Sequence, residues 1–183
     1  MASLKEIKAR IASVNNTLKI TSAMKMVASA KLHRVQNVAE GLAAYSERLA
    51  DIAAALTADP ELEVSSPLAE PHEARRRAVV VAVSSDGSLC GAFNANVIRL
   101  LHAEVESLRG QGFEAVEVWP VGEKIAQAAR KAGFDVCDDF RKLASKATSG
   151  DAAALAQRLM DRYEAGGIDR AVLVYTHFHS MGH

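Results

Sequence analysis

Cysteine is scarce in this sequence, and long apolar runs are missing altogether. Cys90 and Cys137 are the only two cysteines among 183 residues. They are too few for a disulfide framework and fit a reducing compartment. No stretch approaches the roughly eighteen apolar residues of a membrane-crossing helix, and no signal peptide precedes the first helical pattern. These absences predict a soluble or peripheral protein of the cytoplasm. Neither sign of charge is in excess, with 22 basic and 22 acidic residues. Residues 1–56 contain no proline and a single glycine, Gly41, so nothing in them breaks a helix.

What fills those residues is a heptad pattern. Ser3-Leu4-Lys5-Glu6 has the form of a capping box and predicts a helix start. From Leu4, steps of alternately three and four residues pass Ile7, Ile11, Val14 and Leu18, then continue to Leu49, Ala53 and Leu56. Thirteen of the sixteen seam positions are apolar, against 49% for the whole chain. Such a run predicts a coiled-coil seam on a rod about 80 Å long, far longer than a domain of this size is wide.

The rod changes character at residues 20–27. There the seam weakens to Thr21 and Lys25, while Ile20, Ala23, Met24, Met26 and Val27 lie off it. A helix apolar around most of its circumference is normally enclosed by protein. The methionines either suit contacts remade in several arrangements or fill gaps in an ordinary core. Past Val35 the stripe widens through Val38, Tyr45 and Ile52, the pattern of a helix packed on a broader body. Residues 1–35 carry seven Lys or Arg and one acid, Glu6, so the remainder is net acidic by six. That asymmetry reads as a basic arm for an acidic surface or as a solvated helix face.

Residues 57–76 form an acidic connector with Pro60, Pro67 and Pro71, a domain boundary. Arg75-Arg76-Arg77 reads as its solvated exit. From 77 to 183 the pattern alternates, with strands at 78–83, 115–120, 134–137 and 171–175 and helices at 95–109, 122–131 and 151–164. Continuous β-branched runs such as Val79-Val80-Val81 predict strands buried on both faces of a mainly parallel sheet. The fold class is therefore α/β: a long N-terminal coiled-coil helix plus a Rossmann-like domain.

Candidate chemistry is sparse. The loop 84–94 holds Gly87 and Gly91 where an α/β sheet presents ligands, but it is neither a GxGxxG fingerprint nor a P-loop. Ser88 or Asn94 is placed to cap the next helix. Cys90 has no histidine nearby in sequence to act as base. His177 and His179 share one face of an extended end, near His183, with too few ligands for a metal site. Asp86, Asp138 and Asp139 have no partner that spacing assigns. No catalytic constellation, cofactor or metal is expected. Nucleic acid is disfavoured, because the cations of the rod are spread over several faces.

Two motifs carry a resemblance. The stretch ITSAMKMVASAKL at 20–32, within the run from Ser3 to Gln36, closely resembles the start of the gamma subunit of the rotary ATP synthase. SSDGSLCGAFN at 84–94 is similar to that family's SSDRGLCGAFN loop, departing at Gly87 and Ser88. The order of long helix, connector and Rossmann-like domain matches over all 183 residues.

The resemblance implies a central shaft inside a ring of three alpha and three beta subunits, with the α/β domain beside the epsilon subunit and the membrane c-ring. The complex would sit peripherally on the cytoplasmic face of the bacterial inner membrane. Proton flow would turn the shaft, and catalysis would lie on beta. Lys8, Lys19, Ile20, Met24, Lys25, Met26, Val27 and Lys31 are the implied contacts to the alpha/beta ring. The resemblance further implies that the sequence covers the N-terminal two-thirds of such a subunit, with the C-terminal helix that pairs with the seam missing. The rival reading is a small nucleotide-binding α/β protein with a coiled-coil oligomerisation arm.

Overall fold

The computed structural model describes residues 3–58 and 66–177, apart from the side chains of 57, 58 and 146. The chain divides into two units, Met1–Val64 and Ser65–His183. The boundary falls inside the proline-containing connector.

The first unit is one helix, α1 (Leu4–Ala58, 55 residues). Its start is the expected capping box: the Ser3 N–H donates to Glu6 Oε2 at 2.9 Å, and the Glu6 N–H donates to Ser3 Oγ at 3.3 Å. The Thr17 and Thr21 hydroxyls donate to the carbonyls of Ser13 and Thr17 at 3.0 and 2.9 Å. Thr21 thus spends its donor within the helix and can occupy the apolar seam.

The second unit is a parallel four-stranded sheet in the order β3-β2-β1-β4. Its elements are β1 (Arg77–Val83), α2 (Phe93–Gly110), β2 (Ala115–Val121), α3 (Glu123–Lys131), β3 (Asp135–Val136), α4 (Leu143–Lys146), α5 (Ser149–Glu164) and β4 (Arg170–Val174). Strand β1 is central, with Val80 registered against Val118 on one side and Val172 on the other. Its alternate residues feed two cores. Ala78, Val80 and Ala82 pack under Val97, Leu101, Val105 and Leu108 of α2 and Ile125 and Ala129 of α3. Val79 and Val81 face Trp119, Ile168 and the α5 residues Leu155, Leu159 and Tyr163. Helices on both faces of a parallel sheet make this the Rossmann-like arrangement read from the alternation.

Four expectations are corrected. The run at 171–175 reads as a buried strand, yet β4 is a sheet edge whose Leu173 and Tyr175 are exposed. Its apolar content matches that of β1, so the sequence does not tell edge from centre. Ala152, placed on the apolar side of the last helix, is exposed. That helix begins two residues earlier than expected, at Ser149, because Thr148 and Asp151 cap it reciprocally. Asp138 and Asp139 do find partners: Asp138 pairs with Arg130, and Asp139 with Arg158.

The entry to β1 is fastened by one buried carboxylate. Asp169 Oδ2 accepts the N–H groups of Arg76 and Arg77 at 2.9 and 3.0 Å. Its Oδ1 lies 3.3 Å from His72 Nδ1, and His72 stacks on Tyr163 at 4.1 Å. Burial pushes this carboxyl up, but the N–H groups of Arg77 and Arg76, then His72 and the Arg76 guanidinium, outweigh burial and hold it below the usual range. A depressed carboxyl contributes stability that is present above its unfolded pKa and lost as pH falls through the folded value. Asp169→Asn should therefore destabilise this unit by about 1–3 kcal/mol near neutrality. The gap to the parent should close below about pH 4, as read by urea unfolding across pH.

Candidate functional site

All eight residues expected at the ring contact lie on α1, and all are exposed. The helical repeat sorts them. Ile20, Met24, Val27 and Lys31 stand at i, i+4, i+7 and i+11 and share one stripe. Lys8, Lys19 and Met26 fall on another, and Lys25 stands in the seam between Thr21 and Ala28. Ile20, Met24, Met26 and Val27 are 53–73% exposed. Apolar surface therefore nearly encircles this segment, which in water favours enclosure by other protein. On the Met26 side of the helix, next to the seam residue Lys25, runs a shallow groove lined by Ser22, Lys25, Met26, Ser29, Ala30 and His33. Its small residues let another backbone approach closely.

The cations complete the picture. Among the described residues, no ion pair involves Lys5, Lys8, Arg10, Lys19, Lys25, Lys31 or Arg34. Their charges are spread around the helix rather than lined up for a phosphate backbone. Such a surface can hold acidic loops from several directions. Each exposed pair would contribute only about 0–1 kcal/mol, so no single contact locks the helix in one orientation.

The other place to look for chemistry is the carboxyl end of β1, where α/β sheets bind ligands. Here Ser84, Ser85 and Asp86 turn onto the start of α3. Ser84 Oγ accepts the Ile125 N–H at 3.0 Å, the Ser85 carbonyl the Lys124 N–H at 3.3 Å, and Asp86 Oδ1 the Glu123 N–H at 2.9 Å. These are the first three donors of α3, groups a helix start could otherwise offer to an anion, and the protein's own chain has taken them.

The rest of the loop satisfies itself through Asn94. Asn94 Oδ1 accepts from the Ser85 N–H at 3.1 Å and the Ser85 hydroxyl at 3.0 Å, and its Nδ2 donates to the Gly87 carbonyl at 2.9 Å. Neither Ser88 nor Asn94 caps α2, whose N-cap is Ala92 without a side-chain bond. Asn94 lies inside the helix and closes the loop instead. The half-buried Cys90 sulfur sits 3.1 Å from Asn94 Nδ2. Leu89, 90% exposed at the tip, is a further candidate contact that composition and spacing do not single out.

Among the described residues, no group of three metal-ligating side chains is placed to hold an ion. Of the three histidines weighed at the end of the sequence, His179 and His183 lie outside the described residues. Within the described residues no helix is long and apolar enough to cross a membrane.

Comparison with known proteins gives a consistent result. A family model described as ATP synthase matches residues 3–183. The ATP synthase gamma chain of Phocaeicola vulgatus is 50% identical over 181 residues, covering 98% of this chain and 62% of the relative. That of Bacteroides thetaiotaomicron is 48% identical over 183 residues, covering 100% and 60%. The gamma chain of Paracoccus denitrificans is 38% identical over 185 residues, covering 99% and 63%. The chain thus spans about 60% of the length of the curated relatives it matches.

Proposed function

Because the chain belongs to the ATP synthase family, among the gamma chains, we propose that it is central-shaft material of the proton-translocating ATP synthase. In this reading residues 1–56 are the shaft, 57–76 the connector and 77–183 the α/β domain that stands beside the epsilon subunit and the c-ring. The seam pairs with another long helix. The stripes of Ile20, Met24, Val27 and Lys31, and of Lys8, Lys19 and Met26, with Lys25 between them, face the alpha and beta subunits. The complex sits peripherally on the cytoplasmic face of the inner membrane, and its catalytic sites lie on beta.

The observation that carries this reading is the helix segment 19–31, apolar nearly all round, with exposed cations that form no ion pair among the described residues. A sleeve of other subunits can satisfy it and still slide past. Against a phosphate beside the end of β1 stands the start of α3, whose first three donors are already held by Ser84, Ser85 and Asp86.

Met24→Lys puts a fourth charge into the apolar stretch without breaking the helix. In the assembled complex it should lower the protons moved per ATP hydrolysed severalfold, while urea unfolding of the α/β unit stays unchanged. Full coupling with lysine at this position would refute the assigned contact.

A further inference from the structure

A cluster of cations stands at the amino end of the sheet, the end opposite the loop 84–94. Arg75 lies just before β1, and Arg170 opens the neighbouring strand β4. Both reach to one residue, Gln111, at the end of α2. Its carbonyl oxygen accepts from Arg75 Nη1 at 2.6 Å, and its side-chain Oε1 accepts from Arg170 Nη1 at 2.9 Å. Gln111 Nε2 in turn donates to Ser107 Oγ at 3.1 Å, which fixes the end of the amide that Arg170 meets. Two guanidinium groups drawn to a single residue repel each other, and an anion beside both relieves that repulsion.

The two groups border a cavity of about 320 Å³, at the small end of the range for ligand pockets. His72, Phe113 and Tyr163 add to its wall, and Asp169 is the one carboxylate among the described residues that line it. That carboxylate is already occupied. Oδ2 accepts the N–H groups of Arg76 and Arg77, while Oδ1 faces His72 and, at 3.6 Å, the Arg76 guanidinium. Arg75 and Arg170 make no ion pair among the described residues, so the cavity keeps their two charges. Each guanidinium retains N–H donors beyond the one that Gln111 takes. Two arginine forks meeting at one place suit a group with two charges and oxygens on several sides, which is a phosphate rather than a carboxylate.

We propose that this cavity binds phosphate or a phosphate monoester through Arg75 and Arg170, with Gln111 as the positioning residue. Arg75 belongs to the connector and Arg170 to the sheet, so the bound anion clips the last residues of the connector onto β4. The site does not depend on the shaft reading, and either can fail without the other.

Equilibrium dialysis of the full 183-residue chain against radiolabelled inorganic phosphate, in sodium chloride at physiological ionic strength, tests it. Saturable binding of one phosphate per chain is expected, with a dissociation constant of about a millimolar or tighter. Arg75→Gln and Arg170→Gln should each weaken it about tenfold or more. Both side chains are exposed, and urea unfolding followed by Trp119 fluorescence should show both variants folded. Gln111→Ala, which changes no charge, should weaken binding severalfold, a loss that net charge alone does not produce. Arg99→Gln removes the same charge from α2 outside the cavity and should leave binding nearly unchanged. Displacement of the label by glycerol 3-phosphate marks a site that takes monoesters such as a lipid headgroup, and its retention marks a site for the free ion; either outcome supports the proposal. Binding that never saturates, an equal loss in Arg99→Gln, or undiminished binding in folded Arg75→Gln and Arg170→Gln would each overturn it.

Discussion

Gly122→Ala is expected to destabilise the α/β unit by about 3 kcal/mol or more, one of the two largest effects of any single substitution considered. Gly122 joins β2 to α3 at φ +112°, ψ 147°, a region that side chains other than hydrogen rarely enter. The surroundings make the site stricter still. A methyl group there would lie 2.4 Å from the Ser84 carbonyl oxygen and 2.8 Å from Ser84 Oγ. Ser84 cannot retreat, because its N–H donates to the Val121 carbonyl at 2.8 Å and its hydroxyl oxygen accepts from Ile125. Pushing it away breaks the cap of α3 as well as the strand-end pairing. Urea unfolding followed by fluorescence of Trp119, the chain's single tryptophan, reads the loss directly. A midpoint within experimental scatter of the parent would show that the junction is looser than this packing requires.

The second large effect is expected at Trp119 itself. It is fully buried on the α5 side of the sheet, 5.4 Å from the Phe140 ring, with the Arg158 and Arg162 guanidinium groups 5.3 and 5.5 Å from its centroid. Those arginines are themselves held, Arg158 by Asp139 and Arg162 by Glu117 at 2.8 Å. Trp119→Ala should cost about 3–5 kcal/mol through lost burial and the cavity left behind. Hydrogen exchange at Val79, Val80 and Val81 should accelerate in proportion, since their amides open with the sheet. Unchanged protection would mean that α5 collapses onto the gap, and that this face is not the stabilising core described here.

These two positions also show where the sequence stops being readable. Heptad spacing, the missing proline and the Ser3–Glu6 capping box place α1, because every one of those signals is local. Val79-Val80-Val81 and the glycine-bounded helices place the sheet for the same reason. The contacts that define the junction are not local. Asp86 reaches across 37 residues to α3, and Ser84 across 41. Asp169 fastens N–H groups more than 90 residues earlier in the chain. A lone Asp or Ser carries no periodicity, so its partner emerges only when the sheet brings the ends together. The 3-10 turn Asp138–Phe140 and the four-residue α4 are too short for a repeat to reveal. On α1 the eight candidate contact residues could be named from sequence, but their division into two stripes and one seam position needs the helix itself.

The mechanical reading follows from energetics as much as from shape. A shaft gripped by strong, directional contacts would stall at each of them. The segment 19–31 offers apolar area, which has no preferred direction, and exposed cations whose ion pairs are individually weak. The α/β unit contrasts with it throughout. Polar groups at Asp169, Ser84 and Asn94 are committed to partners at fixed distances. In the proposed shaft reading, one part holds its form and the other is held by neighbours.

Photo-cross-linking from position 24 is the most direct test of that division. Met24→Cys would carry a maleimide–benzophenone group, and the chain would be purified with the alpha and beta subunits. The account predicts adducts to beta, with yields that change when nucleotide turnover repositions the shaft. Adducts confined to this chain, in a complex where alpha and beta are present and bound, would contradict it.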